Sequence, residues 1–196
     1  PMIVPDPAPV YASTSKTILS SGRLTYQKGF DMLVDVAAQV LPQHPGWQWL
    51  ILGEGEDRST LEDKIAHAGI GNQLILKGRV PDTDSYYRKS AFFVLTSRFE
   101  GLPMVLLEAK AYGLPIVSFD CPTGPSEIIE DAVNGNLVHP DDITAMAKNV
   151  DCLIEDRATR ERYALHAGDG NGRFAKETII DQWKTLLNTV LRPISR

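Results

Sequence analysis

Short, strongly apolar runs recur along this chain at intervals that leave room for one amphipathic helix between each pair, and this rhythm constrains the fold most. Residues 17–21, 47–52, 74–76, 91–96, 115–119 and 136–138 read as strands, several of them apolar throughout as strands buried on both faces are. Residues 31–41 carry Met32, Leu33, Val36, Ala37, Val40 and Leu41 at helical spacing. Helices are also expected over 57–68, 82–89, 103–112, 141–154, 158–166 and 176–191, with a helical turn at 126–130. Gly69 marks a helix end, Pro103 suits a first helical position, and Ser126 is placed to cap the turn after it. Strands alternating with helices specify an α/β fold: a doubly wound parallel sheet of about six strands with helices on both faces.

A chain of 196 residues with 43% hydrophobic and 23% charged residues supports one packed core. The net charge of -5, without a run of Lys or Arg, argues against nucleic acid as a partner. The sequence holds no apolar stretch near the roughly 20 residues needed to span a bilayer, and Pro1 to Pro9 lack a signal-peptide layout, so a cytoplasmic location is expected. Pro1, Pro5, Pro7 and Pro9 favour an extended connector over residues 1–15, leading from something N-terminal into a domain over 16–172. Residues 173–196 are expected to form a terminal helix. Its set Phe174, Trp183, Leu186, Leu187 and Val190 is explained by core packing or by a neighbour outside this chain. Cys121 and Cys152 read as reduced, packed thiols. His44, His67, His139 and His166 are scattered, so no metal site is expected.

In doubly wound sheets ligands bind at loops leaving the carboxyl ends of the strands. The richest such loop runs from Ser97 through Arg98, Phe99, Glu100, Gly101, Leu102, Pro103 and Met104 to Glu108. It sets one carboxylate on the loop and another in the second helical turn, with amides of Gly101, Leu102 and Met104 at the positive end of the helix dipole. Eight helical residues rise about 12 Å, comparable to the distance from sugar to ribose in a nucleotide diphosphate-sugar. Taken singly, each glutamate also fits a solvated helix-start residue. Glu108, however, lies among Leu106, Leu107, Ala109 and Ala111, which suggests a half-buried carboxylate in need of partners.

The loop after the first strand, Gly22 to Gly29, brings Arg23 and Lys28 to the same edge, a fork and a point charge suited to a diphosphate. It is not a P-loop, and cations on a loop are more often simply solvated. Gly53-Glu54-Gly55 after the second strand matches only the start of a dinucleotide fingerprint, because Arg58 stands where a third glycine belongs; this disfavours an NAD-dependent dehydrogenase. Arg79 and Val80 after the third strand offer backbone groups to a base. The segment from Cys121 to Glu127 either walls the pocket or stiffens a connection.

Together, Gly22-Arg23 with Lys28-Gly29, the Glu100 to Glu108 pair and Gly113-Leu114-Pro115-Ile116-Val117 resemble the group 1, or GT4-type, glycosyltransferases from about Ser20 to Leu191. The resemblance implies the C-terminal, Rossmann-like half of a GT-B enzyme, whose terminal helix often crosses toward the N-terminal domain. It implies a retaining transfer of a hexose from a nucleotide diphosphate-sugar to a saccharide or lipid-linked acceptor held by that other domain, with no metal and no cofactor. Catalytic roles fall to Arg23, Lys28 and Glu100. Donor binding falls to these with Arg79, Val80, Gly101, Leu102, Pro103, Met104 and Glu108. Pro122-Thr123-Gly124-Pro125-Ser126-Glu127 departs from the Gly-Gly-x-Pro-Glu element of many members and resembles bacterial hexosyltransferases of lipopolysaccharide, capsule or teichoic-acid assembly, favouring UDP. The parent enzyme is then peripheral at the inner face of the plasma membrane. The alternatives are a binding module inactive in isolation, or a GT-B epimerase or phosphorylase.

Overall fold

The structure is a computed structural model that describes Pro5 and residues 9–190. Six parallel strands, β1 (Thr17–Ser21), β2 (Gln48–Leu52), β3 (Leu74–Gly78), β4 (Phe92–Leu95), β5 (Ile116–Phe119) and β6 (Gly135–Val138), form one sheet in the order β3-β2-β1-β4-β5-β6. Chain order reverses between β1 and β4, the switch point at whose carboxyl ends such sheets form a ligand crevice.

Helices α1 (Phe30–Val40), α2 (Arg58–His67), α3 (Asp84–Arg88), α4 (Met104–Ala111), α5 (Pro125–Ile128), α6 (Ile143–Glu155), α7 (Arg157–His166) and α8 (Lys176–Val190) accompany the sheet. Period-2 alternation divides the strands between two cores. Ile18, Phe92 and Val94 face one cluster with α1, α2 and α6, whereas Leu19, Phe93 and Leu95 face another with α3, α4 and α5. Trp49, Phe92 and Phe93 are fully buried, each contributing about 2–3 kcal/mol relative to exposure.

The expected rhythm holds, with differences at helix starts. Pro103 is not the first helical residue but the residue before it, extended at ψ 94, so that α4 begins at Met104. Ser126 does not cap α5. Gly124, at φ 95, stands in the cap position and Pro125 opens the helix. Asp142 and Asp156 cap α6 and α7, accepting hydrogen bonds from the amides of Ala145 at 2.8 Å and Thr159 at 3.0 Å.

The expected connector, residues 1–15, is described at Pro5 and from Pro9 onward. There Tyr11 donates to the carbonyl of Ala91 at 2.7 Å and Ser13 accepts from Arg157 at 2.9 Å. The terminal helix is described through Val190. Trp183, Leu186, Leu187 and Val190 are exposed rather than packed in the core, and only Phe174 of that set leans on a core cluster. Cys121 is buried as expected, whereas Cys152 is exposed rather than packed.

Candidate functional site

The site forms where the loops after β1 and β4 meet. A 3-10 turn at Tyr26–Lys28 brings the Lys28 ammonium to 2.6 Å from Glu100 Oε1, and Ser97 Oγ donates to the same oxygen at 2.6 Å. The pair is largely enclosed, with 16% of the Lys28 and 6% of the Glu100 side chain exposed. Sequence reasoning placed Lys28 and Glu100 at one edge, and the structure joins them directly.

Two braces hold this contact. Arg98 donates through both terminal nitrogens to the Asp31 carboxylate at 2.8 and 2.6 Å and to the Tyr26 carbonyl at 2.8 Å, while its amide donates to the Gln27 carbonyl at 2.8 Å. The guanidinium hydrogen bond holds the Asp31 carboxyl below the usual carboxylate range. On the other side Thr123 Oγ1 donates to the carbonyl of Glu100. Gly124 packs so closely that a Cβ there would lie 2.5 Å from Pro103 Cδ and 2.9 Å from the Gly101 carbonyl. The Cys121 to Glu127 segment therefore buttresses the Glu100 loop.

Beyond Pro103, α4 buries Leu106, Leu107, Ala109 and Lys110 and turns Met104 and Glu108, one helical turn apart, outward. Glu108 is exposed and not half-buried, because its apolar neighbours occupy the opposite face. It has a partner all the same: the buried Tyr87 hydroxyl donates to Oε2 at 2.9 Å. Burial first, then the Glu108 charge, holds that phenol well above its usual range, keeping it a donor. Gly101, Leu102 and Met104 are exposed, and their amides donate to no other group among the described residues; Pro103 is buried.

Arg23 is exposed and has no hydrogen-bonding or ionic partner among the described residues. With Ser21, Gly53, Glu54, Arg79 and Val80 it lines a cleft of ≈ 260 Å³. Gly55 shapes this edge: a Cβ there would lie 2.1 Å from the Leu24 carbonyl oxygen, so the loops after β1 and β2 touch backbone to backbone. Arg58, in the position of the missing fingerprint glycine, instead binds Glu54 at 2.7 Å and Glu62 at 2.8 Å.

Of the residues expected at the site, Arg23, Arg79 and Val80 thus line one cleft, Lys28 meets Glu100, and Glu108 meets Tyr87, whereas the sequence assigned no role to Ser97, Tyr87, Thr123 or the Arg98–Asp31 pair. Sequence reasoning also missed one group of metal-ligand type: His44 Nε2, 2.6 Å from Asp151 Oδ1, and Glu155 have ligand atoms within 4.8 Å of one another. His44 precedes β2, at the amino-terminal edge of the sheet and away from the cleft. No described helix is long and apolar enough to cross a membrane.

Strand order, parallel pairing and the crevice between β1 and β4 define a Rossmann-like domain of the kind that forms the C-terminal half of GT-B enzymes. The family described as glycosyl transferases group 1 matches residues 7–167, and the chain belongs to that family. It is 37% identical over 179 residues to the amylovoran biosynthesis glycosyltransferase AmsD of Erwinia amylovora, covering 91% of this chain and 50% of AmsD. Among solved structures, TarM of S. aureus, in a complex with Fondaparinux, alpha-GlcNAc-glycerol and UDP, superposes with a TM-score of 0.87 at 27% identity, covering 92% of this chain and 37% of TarM. The C-terminal domain of LpcC, a group 1 protein of Francisella tularensis, superposes with a TM-score of 0.70 at 30% identity, covering 78% of this chain and 82% of that domain. The chain thus spans half the length of AmsD.

Proposed function

We propose that this chain is the donor-binding half of a retaining glycosyltransferase that takes a hexose from a nucleotide diphosphate-sugar, UDP-linked, to a saccharide or lipid-linked acceptor in bacterial cell-surface polysaccharide or lipopolysaccharide synthesis. The observation that carries the reading is the Lys28–Glu100 pair at the β1/β4 crevice. A cation for phosphate and an acceptor for sugar hydroxyls stand 2.6 Å apart, where a diphosphate meets its sugar. UDP and alpha-GlcNAc-glycerol in the TarM complex, and the amylovoran biosynthesis named in the AmsD description, support the donor and acceptor classes.

In this reading the anomeric carbon–phosphate oxygen bond breaks with its electron pair going to the diphosphate. Arg23 and Lys28 stabilise that charge as it develops. The acceptor hydroxyl forms the new bond to the anomeric carbon, and its proton leaves to the departing phosphate. Glu100 accepts from hydroxyls of the donor sugar, Glu108 from those of the ribose, the amides of Gly101, Leu102 and Met104 meet the phosphate, and Arg79 and Val80 border the base. Two cations do the charge neutralisation that a divalent ion performs elsewhere, so the reaction proceeds without added metal or cofactor. Most of the acceptor is held by a second domain, at the inner face of the membrane, and the 196 residues alone bind donor without turnover.

Calorimetry with UDP, GDP and their sugars tests this. UDP should bind, Arg23→Ala and Glu108→Ala should each weaken it about tenfold or more without unfolding the chain, and NADH should not bind. No binding at millimolar UDP would sink the proposal. Epimerase or phosphorylase activity in the longer enzyme would replace the transfer reading.

A further inference from the structure

On the side of Arg23 and Lys28 away from the Arg79 and Val80 cleft, the surface opens into a second hollow of ≈ 580 Å³, whose wall is completed by Tyr26, Gln27, Glu56 and Phe99. This lies within the range of about 300–1,000 Å³ typical of ligand sites. Its rim carries two rings that packing does not explain: Tyr26 is 68% and Phe99 50% exposed.

The Tyr26 ring and the Phe99 loop are nevertheless held. The Arg98 guanidinium lies 4.1 Å from the Tyr26 ring centroid, itself fixed by the bidentate bond to Asp31. Gln27 Nε2 donates to the Phe99 carbonyl at 3.1 Å, tying the two ring-bearing loops together. Glu56 carries a carboxylate without a hydrogen-bonding or ionic partner among the described residues. Aromatic faces suit the C–H face of a pyranose, whereas a carboxylate and an amide suit its hydroxyl rim. Lys28 is already paired with Glu100 and Glu56 offsets Arg23, so the wall is close to charge-balanced and suits a neutral, hydroxyl-rich ring.

We propose that this hollow is a saccharide-acceptor subsite built into the donor-binding domain, with Tyr26 and Phe99 as its specificity-determining contacts; this rests on the donor reading above. Because Arg23 lines both hollows and Lys28, the partner of Glu100, lines this one, an acceptor seated here presents its hydroxyl beside the diphosphate–sugar junction.

Saturation-transfer NMR on this chain with UDP present is the test, with the methyl α-glycosides of glucose, galactose, mannose and N-acetylglucosamine as probes. At least one should receive saturation at its ring C–H protons. The effect should fall about three- to tenfold in Tyr26→Ala and in Phe99→Ala and persist in Tyr26→Phe, with UDP affinity by calorimetry within twofold throughout. Saturation of none of the four, or unchanged saturation in both alanine variants, overturns the proposal. A parallel loss of UDP affinity in Tyr26→Ala also overturns it, by making the hollow part of the donor site. Self-association abolished by Tyr26→Ala overturns it in favour of a second copy. If wild-type chain fails to bind UDP yet retains the ring-dependent glycoside contact, the donor reading fails and the saccharide site stands.

Discussion

Removing Lys28 alone should cost more stability than removing Lys28 and Glu100 together. At 2.6 Å the pair's gross attraction is about 6 kcal/mol at an effective dielectric of 20, most of it offset by desolvation of both groups. Lys28→Met leaves a carboxylate that is 6% exposed with only the Ser97 hydroxyl to support it. Breaking a buried pair from one side costs about 3–5 kcal/mol, and partial exposure of Lys28 argues for the lower end, about 3 kcal/mol. For a domain of this size that is a fall in Tm of roughly 6–12 °C. In Lys28→Met/Glu100→Gln no charge is stranded, so the double variant should return to within about 1 kcal/mol of the parent, giving a coupling of at least about 2 kcal/mol once the Glu100→Gln loss is added. Urea unfolding at pH 7 followed by circular dichroism, with unchanged m-values, measures the cycle. Single-variant losses that add to within about 0.5 kcal/mol would refute the reasoning, since the two groups would then not be acting on each other.

Tyr87→Phe keeps the ring stacked on Phe93 and Tyr112 but removes the donor to Glu108; stability should fall by only about 1 kcal/mol while UDP binding weakens about three- to tenfold, and unchanged UDP affinity by calorimetry would deny Tyr87 a positioning role. Burial lowers the Lys110 ammonium to about 8, below its ordinary 10.5, so between these values the unfolded chain binds more protons and the Lys110 contribution to stability rises with pH. The stability of wild type relative to Lys110→Met, from urea melts at pH 7 to 10, should therefore increase above pH 8; a flat or falling difference contradicts it. Burial, with the Glu100 charge next, pushes the Cys121 thiol up to about 11, so a thiol-reactive dye at pH 8 should label one cysteine, the exposed Cys152, before unfolding, and two fast labels would show the β5 loop to be open.

Strands and the amphipathic α1 and α6 were legible because their burial follows a local period. Contacts that make the site were less so, because each joins positions far apart: Lys28 and Glu100 by 72 residues, Tyr87 and Glu108 by 21, Arg98 and Asp31 by 67. Charge on two loops at one sheet edge was enough to suggest the first pair. Nothing local marks Tyr87 as the partner of Glu108, since its ring reads as core and only its hydroxyl meets the carboxylate. Glu108 was misplaced for a related reason. Apolar residues on both sides in sequence lie on the opposite helix face in space, and an eight-residue helix shows too little of its period to reveal this. Asp142 and Asp156 cap helices whose expected starts, 141 and 158, missed them by one or two residues, whereas Gly124 gained its role from the approach of Pro103, which only the fold supplies.

The same contacts determine which parts of the cleft move together. Glu100 is held through its carboxylate by Lys28 and Ser97 and through its carbonyl by Thr123, and Lys28 sits on a turn that Arg98 and Asp31 bind to the Glu100 loop. The phosphate-side cation and the sugar-side acceptor are therefore one mechanical unit. Glu108 stands apart on α4, steadied by Tyr87. Arg23 has no such tether among the described residues. A ligand's diphosphate–sugar junction thus meets a preorganised pair, whereas Arg23 must pay its ordering entropy on binding. Substitutions that loosen the brace, at Arg98 or Thr123, should consequently disturb Lys28 and Glu100 together, and those at Arg23 should change affinity while leaving the pair in place.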